Sequence, residues 1–184
     1  MPNWCSNNFT VYHEDPEMLK KFTQAVNDCN LFQTFIPMPE ALSDTTASPY
    51  RDSDVSLIEK YGHDNWYSWC VSNWGTKWDI SSSSAFEEGN LVKGSFLTAW
   101  SPPIEAYDKL SKMGFDIEVI YDEEGGSFVG KYVSEYGDTY YEFPDFEDEN
   151  WRDSFNDDPD ILQLLESHYD SWLEYKEWEE QENK

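Results

Sequence analysis

Alternating apolar and polar positions near the N-terminus predict a β-strand over residues 8–12, where Phe9 and Val11 alternate with polar neighbours. The following stretch predicts a helix over residues 16–28, because Asp15 can serve as its N-cap and proline suits the first helical position. The apolar residues of this helix fall on one side, so we expect the helix to cover a sheet. These residues are Met18, Leu19, Phe22, Ala25 and Val26.

Residues 31–74 interrupt this strand–helix pattern and are interpreted as an insertion. The stretch begins with prolines and a loop-like run, and it ends in a helical run that is rich in aromatic residues. Gly75 follows directly, and glycine favours the left-handed backbone conformation in which many helices end. The sequence therefore predicts a helix that stops just before Gly75.

Two paired strands are predicted after this glycine. The alternation of apolar and polar residues indicates strands over residues 77–80 and 91–98, and the serine-rich run 81–90 is interpreted as the turn between them. Both strands are expected to belong to the same sheet as the first strand.

The next elements complete a recognisable order. Ser101 is the expected cap of a helix over residues 103–113, a strand over residues 115–121 follows, and a hairpin turns at residues 136–138. The order β, α, insertion, β, β, α, β matches the split βαβ arrangement. We therefore predict an α+β fold over residues 1–143, with a ferredoxin-like antiparallel sheet, helices on one face and an extra hairpin.

Residues 144–184 differ from the rest of the chain in charge. They contain 15 acidic and 3 basic residues, a formal charge of −12. An acidic connector is predicted first, and then a helix that begins at Pro159 behind an Asp158 cap. We expect this helix to pack on the same domain through an apolar arc and to carry an acidic outer stripe. The arc holds Ile161, Leu164, Leu165, His168, Trp172 and Tyr175, and the stripe holds Glu166, Asp170, Glu174, Glu177 and Glu180.

The charge of the whole chain excludes several classes of partner. Lys and Arg number 12 against 38 Asp and Glu, which gives a formal net charge of −26. Such a surface repels phosphate, so free nucleic acid and anionic membranes are not expected as direct partners. A ferredoxin-like sheet can stack single-stranded RNA on its aromatic residues, but no strand here carries the basic and aromatic pattern of an RNA-recognition module. Aromatic residues make up 17% of the chain and can supply a core.

The sequence offers no recognisable catalytic or metal-binding constellation. The three histidines lie in different predicted elements, and none of the acidic runs has the D-x-[DN]-x-[DN]-G pattern with the distant Glu of a calcium loop. Cys5, Cys29 and Cys70 lack CxxC spacing, which fits free thiols in a reducing compartment. No run of about 20 apolar residues predicts a membrane span. We expect no cofactor and no metal, and a binding protein is favoured over an enzyme.

Four stretches together resemble a known family. They are MPNWCSN at the start, NWGTKWD in the middle, FLTAWSPP at Phe96–Pro103 and YDEEGGSFVG at Tyr121–Gly130. These stretches are similar to the YubB-like family of phage- and plasmid-borne proteins, which have a ferredoxin-like domain and no characterised function. The resemblance covers residues 1 to about 143. It implies an origin in a mobile genetic element and a place in the cytoplasm of the bacterial host.

The stretch NWGTKWD places a lysine between two tryptophans in a strongly acidic chain. A strand here would put Lys77 and Asp79 on one face and Trp78 on the other. In one interpretation, Trp78 packs in the core and Lys77 pairs with a carboxylate such as that of Asp79. In the other, Lys77 lies in a pocket for an anion or a planar ligand, lined by Trp4, Trp74, Trp78, Asp79 and Trp100.

The acidic stripe either serves solubility alone or binds a basic partner. Like charges at i,i+4 cost about 0.2–0.5 kcal/mol per pair, so a retained stripe favours a cationic partner. Carboxylates about 5–6 Å apart along a helix also resemble the dense charge of a duplex. The leading hypothesis is a nucleic-acid mimic that occupies a basic surface of a host defence or regulatory protein. The alternative is a small-ligand-binding or enzymatic domain that uses the pocket around Lys77. The oligomeric state stays open.

Overall fold

A computed structural model describes residues 3–47, 54–123 and 125–182. The described chain is α+β, with one six-stranded antiparallel sheet, which confirms the predicted fold class. The strands are β1 (Trp4–Tyr12), β2 (Ser81–Glu88), β3 (Leu91–Ala99), β4 (Asp116–Glu123), β5 (Phe128–Val133) and β6 (Gly137–Glu142). The helices are α1 (Pro16–Asn27), α2 (Leu31–Phe35), α3 (Glu40–Ser43), α4 (Val55–Tyr61), α5 (Trp66–Trp74), α6 (Ile104–Lys112) and α7 (Pro159–Glu182), with a short 3₁₀ helix at Trp151–Phe155.

The sheet order is β2-β3-β1-β4-β5-β6. Its first four strands, with α1 and α6, form the split βαβ arrangement, and the hairpin of β5 and β6 extends the sheet beyond β4. Strand β1 lies at the centre, because it pairs antiparallel with both β3 and β4. Two local predictions are confirmed here: the Asp15 side chain caps α1, and Gly75 ends α5 in the left-handed conformation.

The predicted position of the second strand is wrong. Residues 77–80 have no regular secondary structure, and the strand is the serine-rich run Ser81–Glu88, where the sequence predicts a turn. The reason is tertiary, because the side-chain amide of Asn27 on α1 pairs with the backbone N–H and C=O of Ala85 and holds this edge strand in place. Most side chains of this strand are exposed or half-buried, so its polar sequence is compatible with its position at the edge of the sheet.

The predicted cap of α6 is also wrong. This helix begins at Ile104 after Pro103, with no side-chain capping bond. The Ser101 hydroxyl instead donates to the carbonyl oxygen of Gly75 at 2.8 Å. Ser101 therefore ties the start of α6 to the end of α5.

The main core lies between the sheet and the helices α1, α2, α5 and α6. Strands β1 and β4 supply every second residue to it, as expected for a sheet with one face covered. Aromatic rings pack edge-on or tilted against one another in this layer, so aromatic area replaces aliphatic area. The largest members include Phe9, Phe22, Phe32, Phe96, Tyr107 and Phe115.

A second core lies on the opposite face of the sheet. Val129 of β5 points to this face, because its partner Asp122 alternates with the core residue Tyr121 along β4. Helix α7 packs here, so the helices do not all lie on one face: α1 and α6 do, and α7 covers the other. The buried members of the second core are Val129, Trp151, Phe155, Ile161 and Leu165.

Candidate functional site

The lysine of NWGTKWD lies against two exposed tryptophan rings. Its Nζ atom is 3.9 Å from the centroid of the Trp78 ring and 5.5 Å from that of Trp100. Trp78 is 44% exposed and Trp100 is 51% exposed. The interpretation of Trp78 as a core residue is therefore wrong, because residues 77–80 lie outside the sheet and leave the indole at the surface.

A cavity of about 290 Å³ adjoins this cluster. Of the residues predicted to form a pocket, Lys77 and Trp100 line the cavity, whereas Trp4, Trp74, Trp78 and Asp79 are not in its lining. Trp4 is half-buried in β1, opposite Ala99. The full lining is Tyr67, Val71, Gly75, Thr76, Lys77, Ala99, Trp100 and Ser101.

Trp74 and Asp79 have structural contacts instead. Trp74 is 5% exposed, and its indole nitrogen donates to the carbonyl oxygen of Ile36 at 2.9 Å. The Asp79 carboxylate accepts the backbone N–H groups of Phe32 at 2.9 Å and Gln33 at 2.8 Å, so it caps the start of α2. Burial raises the pKa of Asp79, and the backbone hydrogen bonds act against that shift.

The predicted acidic stripe lies on α7 with one member tied to a cation. Asp170, Glu174, Glu177 and Glu180 are exposed. Glu166 instead receives the Arg152 guanidinium at both carboxylate oxygens, with Nε–Oε1 at 2.6 Å and Nη2–Oε2 at 2.9 Å. These hydrogen bonds lower the pKa of the Glu166 carboxyl.

The far end of α7 extends beyond the second core. Ile161 and Leu165 are buried, but Tyr175 is 54% exposed and Trp178 is 56% exposed. The prediction that Tyr175 belongs to a docked arc is therefore wrong, because the contacts of the helix with the sheet end before that residue. Glu174, Glu177 and Glu180 lie on this projecting part.

A cleft that sequence reasoning missed lies between residues 146–152 and α7. We name it the aromatic cleft: four rings and three carboxylates line it, and its volume is about 540 Å³. The aromatic residues in the predicted connector were the available signal, because a solvated linker rarely carries them. The cleft is lined by Phe146, Glu147, Asp148, Glu149, Trp151, Arg152, Tyr169 and Trp172.

Two of the protein's own cations sit on the rings of the aromatic cleft. The guanidinium carbon of Arg152 is 4.5 Å from the Trp151 centroid and 4.7 Å from the Tyr169 centroid. The Lys176 ammonium is 5.4 Å from the Trp172 centroid and 3.1 Å from a carboxylate oxygen of Glu147. The cleft therefore combines cation–π contacts with carboxylates, which is the chemistry of a cation-binding site.

The part of the sheet that α7 leaves uncovered forms a broad groove of about 490 Å³. Asn8 and Thr10 of β1 form its floor, and Phe86 projects from β2. Both of its lysines are paired, Lys93 with Glu88 and Lys131 with Asp160. These two lysines are therefore already neutralised by carboxylates.

The remaining titratable groups of the described residues are distributed over separate parts of the fold. Within residues 3–47, 54–123 and 125–182, no three His, Cys, Asp or Glu side chains are grouped so that they could hold a metal ion. Burial raises the pKa of the Cys5 thiol well above its usual range and that of Cys70 to about 12. In the same described part, no helix is long and apolar enough to span a bilayer.

Comparison with known proteins places the chain in a family. Residues 74–165 match the model of a family described as the ferredoxin-like domain in Api92-like protein. This match runs from the end of α5 into α7. The crystal structure of a protein Api92 from Yersinia pseudotuberculosis aligns with a TM-score of 0.49 and 8% identity, over 77% of this chain and 98% of that one. No curated protein gives a significant match. Since the family model spans half of the sequence, the chain belongs to the Api92-like family with a ferredoxin-like domain.

Proposed function

We propose that this protein is an acidic binding protein that occupies a basic, nucleic-acid-binding surface of a host defence or regulatory protein. The observation that carries the proposal is a row of exposed carboxylates on a helix whose first half is anchored in a core. In residues 144–182 the Lys and Arg side chains are those of Arg152 and Lys176, and each is paired with a carboxylate. The acidic charge of this segment is therefore directed outward.

The spacing of the row supports mimicry of a phosphate backbone. Asp170, Glu174, Glu177 and Glu180 follow one another at steps of three or four residues, which places neighbouring side chains about 5–6 Å apart. Helix α7 has 24 residues and, at about 1.5 Å per residue, is roughly 36 Å long. The row itself runs from residue 170 to residue 180, so it presents charge over roughly 15 Å of the helix.

The resemblance to YubB-like proteins gives the proposal its biological setting. It supports an origin in a phage or plasmid and a place in the cytoplasm of the bacterial host. A mobile element benefits when its own acidic protein occupies the nucleic-acid-binding surface of a host nuclease or repressor. Neither direct binding of nucleic acid nor membrane contact belongs to the proposal, because the formal net charge of −26 opposes both.

The test is salt-dependent binding to a basic protein captured from host lysate. A variant with D170N, E174Q, E177Q and E180Q removes the row, and a control with E14Q, E40Q, E87Q and D116N removes the same charge from exposed positions elsewhere. We expect the row variant to lose affinity and the control to keep it, and duplex DNA should compete with the wild type. Equal affinity of both variants, without competition by DNA, would reject the proposal.

A second candidate function has a specific observation in its favour. Lys77 and Trp100 line a cavity beside exposed indole faces, which suits a small planar anion. Titration with adenosine monophosphate, followed by indole NMR signals, tests this candidate. K77M should abolish the shifts, while K20M, which removes an exposed lysine of α1, should leave them unchanged. Shifts that persist in K77M would exclude it.

A further inference from the structure

The aromatic cleft holds the contacts from which a more specific inference follows. The Lys176 ammonium lies between two groups of the cleft, and we call this position the seat. Its nitrogen is 5.4 Å from the Trp172 ring centroid and 3.1 Å from a carboxylate oxygen of Glu147. An ammonium on an aromatic face beside a carboxylate gains from the ring quadrupole and from the opposite charge together. The seat is therefore chemically complementary to a cation.

Lys176 fills this seat loosely. Its side chain is 41% exposed and that of Glu147 is 69% exposed, so water reaches both partners. Exposed ion pairs of this kind contribute little to stability because water and salt screen them. Lys176 can thus be displaced at low cost by another cation that reaches the same two groups.

Arg152 has the opposite character. Its guanidinium stacks on Trp151 and Tyr169 and is held at two oxygens of Glu166. A guanidinium that forms two parallel hydrogen bonds with one carboxylate and also stacks on two aromatic rings has a fixed position. Arg152 therefore belongs to the wall of the aromatic cleft, and Lys176 occupies the place of a ligand.

We propose that the aromatic cleft is a receptor for a lysine or arginine side chain of the basic partner, and that Lys176 holds this place in the unbound protein. This inference rests on the proposed function, because a basic partner supplies the cation. It assigns the anchor of the complex to the cleft, while the row of exposed carboxylates on α7 supplies longer-range attraction. Protein interfaces often depend on a few central residues, among which Trp, Tyr and Arg are enriched.

One residue that lines the aromatic cleft also has a buried polar group without a hydrogen-bond partner. Trp151 is 3% exposed, and its indole N–H has no hydrogen-bond acceptor among the described residues. Buried donors without an acceptor are uncommon because they cost free energy.

The experiment uses the full chain and N-acetyl-lysinamide as the probe, with N-acetyl-norleucinamide as the uncharged control ligand. Indole NMR signals are followed at constant ionic strength. We expect the lysine probe to shift the signals of Trp172 and Trp151, and the norleucine probe to leave them in place. Equal shifts with both probes would overturn the proposal, because the cleft would then bind apolar stems and not cations.

Two variants at this position should change the affinity for the lysine probe in opposite directions. K176M vacates the seat and should tighten binding of the lysine probe by about three- to tenfold, whereas K20M makes the same change of net charge at a distant exposed site and should have no such effect. W172L should weaken binding by about tenfold, and W178L, on the exposed end of α7, should not. Failure of K176M to bind more tightly than K20M would overturn the proposal.

The test of the aromatic cleft can fail or succeed independently of the test of the proposed function. The variant without the row of carboxylates on α7 keeps the cleft, so it should bind the lysine probe like the wild type. If that variant binds the probe but no longer binds the captured protein, both proposals hold. If W172L binds the captured protein normally, the cleft is not the anchor, whatever the row does.

Discussion

Lys77 places its ammonium 3.9 Å from the centre of the Trp78 ring, and the ring lies at the surface. This relationship reverses the expected roles of the two tryptophans of the motif, because the buried one is Trp74. The stability of the fold should therefore depend on Trp74, and the surface chemistry on Trp78.

Replacement of these tryptophans should separate the two roles. W74A removes a ring that packs on Phe32 and Trp69, and we expect it to lower the free energy of unfolding by about 3–5 kcal/mol. W78A removes an exposed ring and should cost about 1 kcal/mol or less. Urea unfolding followed by circular dichroism measures both changes, and similar losses for the two variants would contradict the assignment.

Asp79 should be a structural residue whose loss destabilises the start of α2. In D79A, the backbone N–H groups of Phe32 and Gln33 lose their acceptor, and we expect a loss of about 1–3 kcal/mol. D116A, at an exposed carboxylate of β4, is the control and should be near neutral. The thermal midpoints of both variants give the comparison, and a near-neutral D79A would show that the cap is dispensable.

Buried tyrosines should make the fold sensitive to alkaline pH. Burial raises the pKa of Tyr107, and burial together with the neighbouring carboxylates of Asp138 and Asp108 raises those of Tyr121 and Tyr132. The folded state then keeps protons that the unfolded state releases above pH 10, so stability falls as the pH rises past 10.

The size of this effect can be measured by urea unfolding between pH 9 and 11. Each tyrosine contributes up to about 1.4 kcal/mol per pH unit above 10. Y121F should reduce the slope, whereas Y136F, at an exposed position, should reduce it much less. A stability that stays constant over this range would contradict the raised pKa values.

The cysteines should differ in reactivity. Cys29 is exposed, while Cys5 and Cys70 are buried, and burial raises the pKa of both buried thiols. At pH 8 a disulfide reagent should therefore label Cys29 rapidly in the folded protein. Labelling of all three thiols should require denaturant. Rapid labelling of C29S under native conditions would show that a buried thiol is accessible.

Local patterns predicted the elements that local interactions determine. Asp15 and Gly75 marked the ends of α1 and α5 because caps depend on neighbouring backbone groups. The second strand was misplaced because its position depends on Asn27, which lies 58 residues from Ala85. No periodicity within the serine run contains that information.

The candidate sites were harder to predict because they are assembled from distant segments. The cavity beside Lys77 is formed by α5 and the end of β3. The sequence does not show which of the four tryptophans predicted around Lys77 face inward. The aromatic cleft joins residues 146–152 to α7. Its rings were visible in the sequence, but their closeness depends on how α7 crosses the second face of the sheet.

The central place of β1 has a consequence for the order of folding. Phe9 stands opposite Gly94 on one side and Val119 on the other, so its neighbours lie 85 and 110 residues further along the chain. Closing such long loops lowers the chain entropy before the new contacts stabilise the structure, and this slows folding. During synthesis β1 leaves the ribosome with both edges open, and of the four strands of the ferredoxin-like core it waits longest for its neighbours.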